Sequence, residues 1–379
     1  MLTLVIFILI LSVLVLVHEF GHFIVAKKSG VKVEEFGLGI PPKLIGKKIG
    51  ETIYSLNLLP FGGFVRLLGE DDTEVVSSSD SRNFASKTPF QRIAILVAGV
   101  TMNTLLGMLL FYIILISNGF KSLNLPLIFD YKFRFGEQIA TNTVVMSFME
   151  GSAAEAGGIN SGDAVLEIND QPVYNVSDIR AFLKDKVGQK VKVLVKDMRD
   201  NSNLSIRTVY LTPTADEKGD GILGAYLTKS IVLSYQHPVE KLLAGPLHAY
   251  NMVAYSVNSF KKLIGLSVVE KSVEPVSAGI AGPVGIYKVV GGILDYTKGS
   301  VVLSLLDLIA LMSVSLALLN IMPFPALDGG RVFFIVIEKL RGGKKVNPSF
   351  EANVHKWGML LLLGLIVLIT IKDIAGFSR

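Results

Sequence analysis

His18-Glu19-Phe20-Gly21-His22 places two imidazoles four residues apart, with a carboxylate directly after the first. An α-helix turns about 100° per residue, so His18 and His22 lie about 40° apart and one turn along the axis. Both can then reach one ion. Glu19 falls in the same arc of about 100°, where it can take a proton from an attacking water without being a ligand itself. This is the H-E-x-x-H arrangement of two zinc ligands and a general base. The flanks are apolar on both sides. A charged residue at the centre of a bilayer helix costs about 2.5–3.5 kcal/mol. Three ionisable side chains on one such turn need a compensating partner, and a cation supplies it. The alternative is a chance match on an amphipathic helix whose polar face meets water.

Two histidines leave a catalytic zinc one protein ligand short. The chain has no cysteine, which excludes thiolate ligands, a disulfide framework and a cysteine nucleophile. His237 and His248 fall outside the apolar segments, and His355 falls at the edge of one. Asp328 is the better candidate, in Leu319-Asn320-Ile321-Met322-Pro323-Phe324-Pro325-Ala326-Leu327-Asp328-Gly329-Gly330. The two prolines break the preceding apolar run. Irregular backbone at membrane depth is tolerated only where protein or water covers it. Asp328 can also cap a helix over 331–340. Asn320 can bond a substrate strand or a developing oxyanion, or equally a neighbouring helix.

Four apolar runs are long enough to carry these groups through a bilayer: 1–26, 92–117, 301–322 and the shorter 357–371. The first lacks a basic leader and a small-x-small site before Lys27, so an uncleaved span is expected, not a signal peptide. Charged residues are only 18% of the 379, against about a quarter in soluble domains. The net charge of +5 is scattered, without aromatic interleaving, and points away from nucleic acid.

Basic residues gather in 27–91 (Lys27, Lys28, Lys32, Arg82, Lys87) and in 326–356. The positive-inside rule makes both loops cytoplasmic and puts both termini and the stretch between the second and third spans outside. That stretch holds a linker, 118–134, and a small domain, 135–230. The domain alternates β-type runs (143–146, 164–168, 191–196, 205–211) with one helical run near 177–186. Within 231–300, residues 239–266 read as an amphipathic helix. The third span and its broken end cover 301–325, and the fourth 357–373.

These residues resemble the bacterial site-2 proteases of the group named for the regulator of sigma-E protease, over nearly the whole length. His18, Glu19 and His22 match that family's zinc-binding and general-base positions, Asp328 its third ligand, and Asn320 an asparagine that contacts substrate. Gly37-Leu38-Gly39-Ile40-Pro41 and Leu59-Pro60-Phe61-Gly62-Gly63-Phe64-Val65-Arg66 look like its membrane-reentrant β-hairpin. Gly282-Pro283-Val284-Gly285-Ile286 matches a segment before the third span. Residues 151–173 resemble a circularly permuted PDZ domain, with Gly221-Ile222-Leu223-Gly224 where such a domain binds a carboxylate. Only one PDZ-like domain fits, where some members carry two. Ala98-Gly99-Val100-Thr101-Met102-Asn103 has valine where many have proline, while Asn103 keeps the pattern.

The resemblance implies an α-helical integral membrane protein of about four spans, with a membrane-reentrant β-hairpin and an inserted extracytoplasmic PDZ-like α+β domain. It implies a Zn2+ cofactor, a bacterial cell-membrane location and substrates that span the bilayer, such as single-span anti-sigma factors or remnant signal peptides. Strand addition to 52–58 and 64–68, with Gly62 and Gly63 between them, would hold an unwound substrate. The PDZ-like domain would either exclude bulky substrates or bind an exposed C-terminus at Ile222 and Leu223. Two further readings of the intramembrane cluster are a metal-ion transporter and a non-catalytic PDZ scaffold.

Overall fold

A computed structural model describes residues 1–70, 80–198, 206–216, 218–296 and 301–375. In chain order the elements are α1 (Leu2–Lys28), β1 (Val33–Ile49), β2 (Thr52–Leu67), α2 (Pro89–Ser117), β3 (Leu125–Leu127), β4 (Glu137–Phe148), α3 (Ala153–Ala156), β5 (Asp163–Ile168) and β6 (Gln171–Pro172). There follow α4 (Val176–Leu183), β7 (Val191–Asp197), β8 (Ile206–Leu211), β9 (Thr214–Ala215), β10 (Gly221–Ile222), β11 (Ala225–Ser234), α5 (Pro238–Leu242) and α6 (Ala244–Glu270). The last are α7 (Glu274–Ala278), α8 (Pro283–Tyr296), α9 (Val301–Ile321), α10 (Asp328–Leu340) and α11 (Pro348–Ala375). The chain divides into two units, Met1–Phe111 with Phe260–Gly291 and Leu306–Arg379, and Tyr112–Ser259 with Gly292–Leu305.

The first unit carries α1, α10, α11 and most of α2 and α9. Among the described residues, four helices, α1, α2, α9 and α11, are long and apolar enough to cross a membrane. The fourth runs 28 residues from Pro348, well before the expected start at 357, because proline at its first turn starts it early. Between α1 and α2, β1 and β2 fold on each other in a doubled register. Phe36 lies opposite both Val65 and Tyr54, and Gly37 opposite both Phe64 and Ser55. The front half of β1 is thereby flanked on both sides, while Lys43–Ile49 pairs with Thr52–Asn57. The reversal within β2 passes through Gly62, whose φ of +86° suits glycine.

A core of Ala26, Val31, Val33, Leu67, Phe84, Ile95, Leu96 and Ile335 ties α1, both strands, α2 and α10 together. One guanidinium nitrogen of buried Arg92 donates to both oxygens of buried Glu338, at 2.7 and 2.8 Å, and so pins α10 to α2. Arg331 and Glu70 pair at the other end of α10. Elsewhere in the unit, the Asp373 carboxylate accepts the Gly282 and Gly285 amides at 2.9 and 2.8 Å, capping α8.

The second unit is built on an antiparallel sheet in the order β3-β11-β4-β5-β7-β8, with β6 beside β5. Strand β7 buries Val191, Val193 and Val195, as alternation demands of a one-sided sheet. They join Val165, Ile168, Ile179, Leu183, Leu211 and Leu223 in one core. Helix α4 starts in a capping box between Asn175 and Asp178. The sheet reaches past the expected 135–230 at both ends, because β3 pairs with β11 and β11 runs to Ser234. Ser205, the expected first residue of its last outer strand, lies outside the described residues.

In this unit the Tyr235 hydroxyl lies 3.0 Å from His248 Nδ1 and accepts from Asn251 Nδ2 at 3.0 Å. Burial pulls the His248 imidazole down from 6.5 to about 4. Between those values the unfolded chain binds the extra proton, so stability is full above pH 6.5 and is lost as pH falls towards 4. The loss reaches about 3 kcal/mol at most. Denaturant unfolding at pH 7.5 and pH 4.5 should show a smaller pH-dependent drop for His248→Gln than for the wild type. Equal drops would remove His248 from the acid sensitivity.

Candidate metal centre

Helix α1 presents His18 and His22 on its buried side, at 6% and 8% exposure, within a run that is otherwise apolar. Helix α9 stops at Ile321, just before Pro323, and α10 begins at Asp328. Leu327 takes the N-cap position. The Asp328 carboxylate is turned towards α1, with Oδ2 at 3.0 Å from His18 Nε2 and 3.4 Å from His22 Nε2. The two Nε2 atoms are 3.1 Å apart. Donors held 2.0–2.1 Å from a tetrahedral zinc are about 3.3 Å from one another, so the three spacings suit that ion. His22 Nδ1 donates to the Ile95 carbonyl at 2.8 Å, which leaves its Nε2 lone pair directed at the cluster. Among the described residues this is the one group of three or more such donors able to share an ion, all within 4.8 Å.

A cavity of about 230 Å³ opens beside these atoms, lined by Val15, His18, Glu19, Leu316, Asn320, Ala326, Leu327 and Asp328. Glu19 and Asn320 therefore share the space next to the cluster, and Asn320 Nδ2 lies 3.5 Å from His18 Nε2. Near the same space, a Cβ on Gly63 would lie 3.8 Å from Glu19 Cγ, and one on Gly62 3.7 Å from Val15 Cγ1. The irregular segment before Asp328 is held from behind. Ala326 has φ +76°, and its amide donates to His355 Nδ1 at 2.9 Å. Ile222 and Leu223 belong to the second unit, where Leu223 is buried in the core and its carbonyl accepts from the Ala154 amide.

The sequence places Gly99 and Asn103 in a family pattern but gives the α2 side no role at the site. Ile95, Gly99 and Asn103, one helical turn apart each, bring a carbonyl, a gap and an amide to the histidines. Any Cβ on Gly99 would fall within contact distance of His22 Nε2 and 2.7 Å from His18 Nε2. The i, i+4, i+8 spacing was the available signal. It gains meaning only once α2 is known to pack on α1.

A histidine pair and an adjacent glutamate on the membrane-length α1 thus meet a carboxylate from the start of α10, a donor set that could hold a metal ion. The sequence model described as Peptidase family M50 matches residues 6–365. A Clostridium perfringens protein with the provisional name zinc metalloprotease CPE1693 is 37% identical over 365 residues, covering 96% of each chain. Zinc metalloprotease RasP of Bacillus licheniformis is 29% identical, covering 98% of both, and the regulator of sigma-W protease RasP of Bacillus subtilis is 28% identical at the same coverage. The chain belongs to peptidase family M50. It is a membrane protein and a zinc-dependent protease of the site-2 kind, and the transporter and scaffold readings fall away.

Proposed function

We propose that His18, His22 and Asp328 hold the zinc and that Glu19 is the general base for hydrolysis of peptide bonds inside membrane-spanning segments. The observation that carries this reading is the convergence of three donor atoms from α1 and α10, far apart in sequence, beside one cavity. Zinc bound there supplies Lewis-acid polarisation of the scissile carbonyl and an acidified water, with pKa near 7. Glu19 takes the proton of the attacking water and hands it to the leaving amine. The Asn320 amide, on the cavity wall, donates to the developing oxyanion.

A transmembrane helix keeps its carbonyls bonded and shielded, so a substrate must unwind before attack. Residues 63–67 pair with β1 on one side and, among the described residues, show no strand on the other. With Gly62 and Gly63 close to Val15 and Glu19, that edge suits strand addition by an unwound substrate, in a hairpin re-entering the membrane. The basic loops 27–91 and 326–356 favour a cytoplasmic side for the hairpin and an extracytoplasmic side for the second unit. The bacterial cell membrane is the location that follows. The second unit is the PDZ-like domain, and the loop around Ile222 and Leu223 would receive a peptide or C-terminus. The Bacillus subtilis relative is named for regulation of sigma-W, which makes a membrane-anchored anti-sigma factor a natural substrate class.

Asp328→Asn tests the ligand set. Purified protein carrying it should hold zinc at least about tenfold more weakly, since a neutral amide lacks the negative charge with which a carboxylate binds the dication. Zinc content equal to the wild type after dialysis against a chelator would return Asp328 to the helix start alone.

A further inference from the structure

Asn103 is completely buried, with 0% exposure, in the middle of a span-length apolar helix. Its carboxamide faces His18, with Nδ2 3.5 Å from His18 Nδ1, while its Oδ1 is buried and has no hydrogen-bond partner among the described residues. A carboxamide buried in apolar surroundings costs free energy unless it does something. Its own helix is anchored separately, because Ser313 Oγ donates to the Asn103 main-chain carbonyl at 2.8 Å and needs no side chain there.

The chemistry of His18 explains the amide. If Nε2 binds a metal, as its 3.0 Å approach to Asp328 suits, then Nδ1 must carry the ring proton. A protonated Nδ1 needs an acceptor, and Asn103 Oδ1 is the unpaired acceptor of the residue beside it. A half-turn of the amide brings Oδ1 to Nδ1, since the two orientations have the same shape. His22 already has the equivalent support, donating Nδ1–H to the Ile95 carbonyl. Ile95 and Asn103 sit two turns apart on α2, with Gly99 between them leaving room for both rings.

We infer that Asn103 is a positioning residue that fixes the ring orientation and tautomer of His18 by accepting its Nδ1–H, so that α2 presets both histidines for zinc. This rests on the reading of His18 as a ligand. Outer partners of this kind are worth about 10–100-fold in metal affinity.

The test measures zinc affinity of the purified full chain in detergent, by chelator competition, together with thermal unfolding of the metal-free protein. Asn103→Leu and Asn103→Ala lack the acceptor and should bind zinc about 10–100-fold more weakly. Asn103→Asp keeps an acceptor and should stay within a few-fold of wild type. With cobalt in place of zinc, the visible spectrum of Asn103→Asp should match wild type and that of Asn103→Leu should not. Wild-type affinity in either acceptor-less variant, or equal loss in Asn103→Asp, would overturn the inference. So would unfolding of the metal-free protein in both acceptor-less variants, which would assign Asn103 to packing. His18→Ala is the control for the parent reading: it must lose zinc, and full retention there would overturn the ligand assignment instead.

Discussion

Glu19→Gln should lower turnover of a membrane-anchored model substrate by about 10²–10⁴-fold, the usual contribution of a positioned general base. Glutamine keeps the size of the side chain and its place on the cavity wall beside His18 and Asp328. It cannot accept the proton of an attacking water. Zinc content should be unchanged, because the three converging donors are His18, His22 and Asp328, and Glu19 is not among them. The pairing of lost turnover with retained zinc separates a base from a ligand. Turnover within threefold of wild type would remove Glu19 from proton transfer. Loss of zinc along with activity would make it a ligand.

Gly99→Ala carries the second large effect, and its sign runs against helix propensity. Alanine in place of glycine in a helix interior is ordinarily worth about 1 kcal/mol in favour of the variant. Here the added methyl meets the ends of both imidazoles, at 2.7 Å from His18 Nε2 and Cε1 and closer still to His22 Nε2. Ordinary carbon contacts begin near 3.5 Å. The rings are not free to swing away, because His22 Nδ1 is bonded to the Ile95 carbonyl and both Nε2 atoms face Asp328. They must shift by something near 1 Å, and misplacement on that scale costs about 10²-fold in rate. The variant should therefore bind zinc weakly, melt somewhat below wild type even without metal because such overpacking costs about 1–3 kcal/mol, and turn over at least about 10²-fold more slowly. Full zinc content with normal turnover would show that the rings have more room than the structure gives them.

Much of the site was legible because its parts are local. The spacing of His18, Glu19 and His22 is a statement about one turn of helix, and the apolar flanks say where that turn lies. Asp328 was legible because two prolines end the preceding helix at a place where a broken backbone needs a reason. The support from α2 was not legible. Asn103 keeps a family pattern in the sequence, but neither it nor Gly99 has a role at the site until α1 is placed against them. In the same way, Val33-Glu34-Glu35-Phe36-Gly37-Leu38 shows no apolar alternation, and nothing in it says that these residues have strand neighbours on both sides. The segment from Gly282 to Ile286 resembles a family segment but carries no sign of its partner. It opens α8, because Asp373 from the chain's far end caps the amides of Gly282 and Gly285. Each of these misses is a non-local pairing, which hydrophobic periodicity does not encode.

One zinc ion should join the first long helix to the segment after the third. Anomalous X-ray diffraction at the zinc absorption edge, from crystals of the full chain, tests it directly. The account predicts one strong peak about 2.0–2.2 Å from His18 Nε2, His22 Nε2 and a carboxylate oxygen of Asp328. A peak bound to other residues, or ordered His18 and His22 side chains in an active preparation with no peak between them and Asp328, would contradict it.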